Sequence, residues 1–145
     1  MFERILVAYD GSDFAKKALS HAIDLQKLCN GELLILTVFR HHSQMEASMS
    51  MVRAESPESI DRTLGEFAKE QAGDAKAYAQ QEGAADVRAF VMNGQPARTI
   101  VKFAQDHDVS LIVLGSRGVG DLEGYLLGSV SHKVTSLAKC PVLVV

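Results

Sequence analysis

The sequence predicts an α/β fold: a doubly wound five-stranded parallel sheet in the order 3-2-1-4-5 with helices on both faces. Three observations carry this. Apolar runs RILVAY (Arg4 to Tyr9), LLILTVF (Leu33 to Phe39) and LIVL (Leu111 to Leu114) do not alternate with polar residues, as expected of strands buried on both faces. Between the runs, apolar residues recur at steps of three and four, the period of a helix packed on one side. Strand and helix patterns then alternate along the chain as β-α-β-α-β-α-β-α-β. Right-handed crossovers leave few arrangements for that order.

The first strand stops at Asp10-Gly11-Ser12. Ala15, Ala18, Leu19, Ala22, Leu25 and Cys29 then define one helix face, closed by the stop signal Asn30-Gly31. After the second strand, Arg40 to about Pro57 shows no single period and reads as a long connection with a short helix. Ile60, Leu64, Phe67, Ala68, Ala75, Tyr78 and Ala79 mark a second helix ending near Gly83. Asp86 to Met92 alternates, as a half-buried edge strand does. Asn93-Gly94-Gln95-Pro96 is a turn into a third helix with Ala97, Ile100, Val101 and Ala104 inward, where Pro96 suits the first turn. Ser129 to Leu137 is a short helix with Val130, Val134 and Leu137 inward. Cys140 to Val145 is the fifth strand.

The 145 residues are expected to form a single domain, 1–145. Hydrophobic residues are 47% and charged residues 23%, ordinary for a globular chain. Fifteen Lys and Arg against eighteen Asp and Glu give a formal charge of −3, so the basic footprint of a general nucleic-acid binder is missing. The start of the chain has no basic n-region and long apolar core, and reads as a first strand. No apolar run approaches the ~20 residues that span a bilayer, so no membrane insertion is expected. Cys29 and Cys140 read as two buried thiols in a reducing, cytoplasmic setting.

In an open parallel sheet, ligands bind beyond the carboxyl ends of the strands where strand order reverses. That switch point falls between the first and fourth strands, where Asp10-Gly11-Ser12 meets Gly115-Ser116-Arg117-Gly118. The latter loop continues as G-x2-G-x9-G-S: Gly115, Gly118, Gly128 and Ser129. Glycine lets backbone N–H groups approach phosphate oxygens, and a helix N-terminus favours an anion by ~0.3–1 kcal/mol per contact. Glycine content alone leaves two readings open, a phosphate cradle or a flexible loop before an ordinary helix cap. Asp10 also has two readings: ligand contact at the switch point, or a cap for the first helix shared with Ser12 and Asp13.

Other nucleotide signatures are absent. No Gly-Lys pair exists for a Walker A loop, and Gly118, Gly120 and Gly124 miss the dinucleotide fingerprint by one residue. No G-x-S-x-G elbow is present, so Ser129 is a phosphate-binding or capping serine. His41, His42, Met45, Met49 and Met51 lack the carboxylate or cysteine framework of a metal site, and Met45 and Met49 read as packing residues, onto the sheet or onto a partner chain. His21, His107 and His132 read as surface residues.

Together VAYDGSD, GSRGVGDLEGYLLGSVSHKV and the terminal CPVLVV resemble the universal stress protein (UspA-like) family, end to end. The glycine pattern is similar to that of the family's ATP-binding branch. VFRHHSQMEASMSMVR (Val38 to Arg53) resembles members linked to TRAP-type solute transporters, the TeaD subgroup. The resemblance implies a homodimeric ATP-binding regulatory protein of stress response, with Mg2+ accompanying ATP. It implies that Asp10 contacts ribose hydroxyls or a metal and that the Val38 backbone reads adenine. It also implies that Gly94 lies near the base, and that Gly115, Gly118, Gly128, Ser129 and the Val130 N–H hold phosphates. Ser116 and Arg117 lie within the same loop, and Asp121 and Glu123 add negative charge that a divalent cation would screen. A slow ATPase or other adenine-nucleotide enzyme and a nucleotide-independent dimeric interaction module are the alternatives. The apolar strand Val142 to Val145 would leave an open sheet edge, which pairing across a two-fold axis would cover. Higher oligomers are compatible with that pairing.

Overall fold

The computed structural model describes residues 1–40, 57–119 and 127–145. In chain order the elements are β1 (Arg4–Ala8), α1 (Asp13–Cys29), β2 (Glu32–Phe39), α2 (Pro57–Gln81), β3 (Val87–Asn93), α3 (Pro96–Asp106), β4 (Leu111–Leu114), α4 (Ser129–Leu137) and β5 (Val142–Val144). The sheet runs β3-β2-β1-β4-β5, and its neighbouring strands pair in parallel, as the sequence predicts. Ile5 lies opposite Leu33 on one side and Leu111 on the other, and Val7 opposite Ile35 and Val113.

This register sorts the apolar residues into two layers. Ile5, Val7, Leu33, Ile35, Leu111 and Val113 meet Ala18, Leu19, Ala22 and Ile23 of α1 and Ala75 and Ala79 of α2. Leu6, Leu34, Leu36, Ile112 and Leu114 meet Ala97, Ile100, Val101 and Ala104 of α3 and Val134 of α4. The uninterrupted apolar runs therefore exist because alternate residues serve opposite cores.

Local signals set the ends. Ser12 caps α1, accepting from the Ala15 N–H at 3.1 Å. Asn30 closes the helix in the left-handed conformation at φ 54°. Gln95 caps α3 by accepting from the Arg98 N–H at 2.8 Å, with Pro96 in the first turn. Buried Gln26 donates to the Gly31 carbonyl at 2.8 Å and accepts from Ala85 N at 3.3 Å, tying the end of α1 to the connections before β2 and β3.

Four expectations need correction. On α2 Ala68, Ala75 and Ala79 are buried as the pattern predicts, joined by Ala72, but Leu64, Phe67 and Tyr78 of the same pattern are 37%, 61% and 43% exposed. Small side chains let this 25-residue helix lie close to the strands, and the bulkier stripe is turned aside. Leu137 of α4 is 46% exposed, and Ser131 is buried beside Val134. His107 is half-buried, its ring stacked on Phe103 with centroids 3.8 Å apart and its Nδ1 2.9 Å from the Phe103 carbonyl. Cys29 and Cys140 are free thiols but only half-buried, and burial pushes the Cys140 thiol up from its ordinary pKa. The connection expected from Arg40 to Pro57, with its histidines and methionines, lies almost wholly outside the described residues.

Candidate functional site

β1 and β4 are adjacent, but their following segments pass to different faces of the sheet. The chain leaves β1 through Tyr9, whose N–H donates to the Leu36 carbonyl at 2.9 Å. It then turns at Gly11, where φ is +80°, a conformation L side chains rarely adopt. The Asp10 carboxylate spans the gap that opens. One oxygen accepts from the Ser12 N–H at 3.0 Å and from the Ser12 hydroxyl at 2.6 Å. The other accepts from the Val119 N–H at 3.2 Å, on the loop after β4. The two readings of Asp10 are thus compatible, since it supports the first helix cap and also faces the switch point.

The loop after β4 is fixed at its base. A Cβ on Gly115 would lie 2.7 Å from the Phe14 Cβ and 2.8 Å from the Phe14 carbonyl carbon, so only glycine lets β4 end against the first turn of α1. The Ser116 N–H donates to the Val145 carbonyl at 2.7 Å. The Ser116 carbonyl accepts from the Gly128 N–H at 2.6 Å and from the Ser131 hydroxyl at 2.8 Å. This backbone junction holds β5, the loop and the start of α4 together. Gly128 is the cap of α4 and supplies no side-chain bond to it. The first N–H groups of a helix have no partner within the helix.

A cleft of about 320 Å³ lies between these parts, within the range of small-molecule sites. Ala8, Leu36, Val38, Leu114, Pro96 and Ile100 give it apolar walls. Asp10, Arg40, Arg117, Ser129 and Ser131 give it polar groups. Arg117 also lies with its guanidinium carbon 5.9 Å from the centre of the Phe14 ring. The Tyr9 phenol is pushed above its ordinary pKa, mainly by partial burial and further by the Asp10 and Asp74 carboxylates. An apolar slot suits a flat ring system, and the start of α4 with two arginines suits an anion.

Of the residues singled out in the sequence, Asp10, Val38, Gly115, Arg117, Gly118, Ser129 and Val130 line this cleft. Ser116 and Gly128 stand behind it as backbone braces. Gly94 does not line it. At φ +145° this glycine donates its N–H to the Phe39 carbonyl at 2.9 Å, and a Cβ there would meet Thr99 Oγ1 at 2.7 Å. Asp121 and Glu123 lie outside the described residues. Among the described residues no group of three or more His, Cys, Asp or Glu could hold a metal ion. No helix among them is long and apolar enough to cross a membrane.

Sequence reasoning missed Arg40, Pro96 and Ile100. Alternation along β2 would have found Arg40, two residues beyond Val38 on the same face. Pro96 and Ile100 are one helical turn apart, so their shared face was also readable.

Fold and site together define a doubly wound α/β protein with a ligand-sized cleft at the switch point. The chain belongs to the universal stress protein family, which it matches over residues 1–145. It is 41% identical over 148 residues to Universal stress protein YxiE of Bacillus subtilis (strain 168), covering 100% of this chain and 99% of that one. Among solved structures, it is similar to hypothetical protein MJ0577, with a TM-score of 0.84 and 31% identity over 100% of this chain and 96% of that one. It is also similar to a universal stress protein in complex with cAMP, with a TM-score of 0.75 and 25% identity over 99% and 97% of the two chains.

Proposed function

We propose that the switch-point cleft binds an adenine nucleotide, with ATP and Mg2+ as the working ligand, and that the protein is a cytoplasmic regulator of the family's ATP-binding branch. The observation that carries the reading is one cleft lined by an apolar slot, the Asp10 carboxylate and the start of a helix with no side-chain cap. The slot takes the base, Asp10 faces the pentose or the cation, and Ser129 and Val130 meet the phosphates. The cAMP complex of a similar protein supports an adenine nucleotide as ligand class.

Turnover is slow in this reading. Asp10 already accepts three hydrogen bonds, and among the described lining residues no other carboxylate or histidine is placed to activate water. The regulated partner is proposed as a TRAP-type transporter component, on the strength of Val38 to Arg53. Failure to retain any transporter component on the immobilised protein, with or without ATP, removes that partner.

The test of the cleft is direct. The purified protein is unfolded and whatever it releases is identified by mass spectrometry. ATP near one per chain is expected, and Gly118→Val should release none. If the wild-type site is empty and ATP with magnesium gives no thermal shift, the nucleotide reading is wrong and a nucleotide-independent interaction module takes its place.

A further inference from the structure

We infer that Gln71, on α2, is a positioning residue for the cleft: its amide anchors the turn after β1 so that Asp10 spans both loops of the switch point. The inference rests on the nucleotide reading for one of its two tests. The Gln71 Nε2 donates to the Asp10 carbonyl at 3.1 Å, across 61 positions of sequence. The same amide fills the space a Cβ on Gly11 would need, so turn and side chain fit each other closely. Gln71 is carried on a rigid element, because Ala68, Ala72 and Ala75 on either side of it are buried. The turn itself is the less protected partner. Asp10 is exposed, and its remaining bonds run to Ser12, two residues away, and to Val119.

The consequence is a division of labour. One face of Asp10 is its carbonyl, held by Gln71. The other is its carboxylate, aimed at Val119 and the cleft. With the carbonyl released, the turn swings about Gly11 and the carboxylate loses its fixed reach. A carboxylate held in place accepts from vicinal pentose hydroxyls, and a 2′-deoxy ligand lacks one of them. Gln71 therefore acts on the choice between ribose and deoxyribose, through Asp10, without touching the ligand.

The experiment uses Gln71→Met, which keeps the length of the side chain and removes the donor. Gln71→Ala serves as a second variant should methionine disturb the packing. Affinities for ATP and 2′-deoxy-ATP are measured by calorimetry, and amide hydrogen exchange is followed at Val119, with Val113 in the core as the control. In the wild type ATP is expected to bind roughly tenfold more tightly than 2′-deoxy-ATP, the scale of one hydrogen bond to a charged group. In the variant ATP should weaken about tenfold more than the deoxy ligand, so that the two bind within about twofold of each other. Exchange at Val119 should rise while Val113 stays protected. An equal loss for both nucleotides, or unchanged exchange at Val119, overturns the inference and leaves Gln71 a packing residue. If the wild type binds neither nucleotide, the nucleotide reading has failed separately, and Val119 exchange in the variant alone upholds or overturns the role of Gln71.

Discussion

Tyr9 sits where the first strand gives way to the site, and its phenol is the group there with the most direct pH signature. Burial and the carboxylates of Asp10 and Asp74 favour its protonated form in the fold. In the unfolded chain a tyrosine titrates at about 10. Above that value the unfolded chain has lost a proton that the fold still keeps, so stability falls as pH rises. The contribution is complete below the unfolded pKa and is lost as pH climbs through the folded one. Tyr9→Phe should therefore flatten the alkaline limb of a plot of urea midpoint against pH and leave the neutral region level. A limb unchanged in the variant would assign the alkaline loss to other groups. At this scale the sequence showed part of the site. Asp10, Gly115 and Ser129 were legible because strand ends and helix starts announce themselves through small and polar residues. Gln71 was not, since a lone glutamine in a helix carries no local pattern, and its partner lies 61 positions away.

Among the elements, α2 departs furthest from its sequence pattern. Leu64, Phe67 and Tyr78 share the helical pattern of Ala68, Ala75 and Ala79, yet only the alanines are buried. Apolar period alone identifies a face but not which side of it lies innermost when one side is bulky and the other small. Close approach to a parallel sheet favours the small one. Ala72→Leu should then overpack the layer beneath α2 and cost about 1–3 kcal/mol in denaturant melts. Phe67→Ser should cost less than about 1 kcal/mol, as surface changes usually do. The reverse ranking would mean that the bulky stripe is the packed face. The glycine after β4 shows the opposite case, where sequence located a residue and the structure supplied its reason. Gly115 lines the cleft, but the neighbour that forbids a side chain there is Phe14 of α1. Loss of ligand on replacing Gly115 would therefore mix binding with packing.

For the molecule as a whole, strand order was legible because three independent constraints agree: parallel strands, right-handed crossovers and apolar runs on the inner strands. The same topology leaves β5 with one paired side. Ile112 donates to the Pro141 carbonyl and Val145 donates to the Leu114 carbonyl. Odd-numbered positions of this strand therefore turn their backbone groups to β4, and alternation turns the N–H groups of Val142 and Val144 outward. Leu143, between them, is 37% exposed. A row of unpaired donors beside apolar side chains is the kind of edge that associates. We propose that two copies pair along it across a two-fold axis, as the isologous interface of a homodimer. Val144→Pro removes an outward donor and leaves the bonds from Pro141 and Val145 to β4 in place. Sedimentation should show a dimer for the wild type and a monomer for the variant, with the far-UV spectrum unchanged. A variant that stays dimeric would exclude this edge, and the exposed stripe of α2 would be the next surface to substitute.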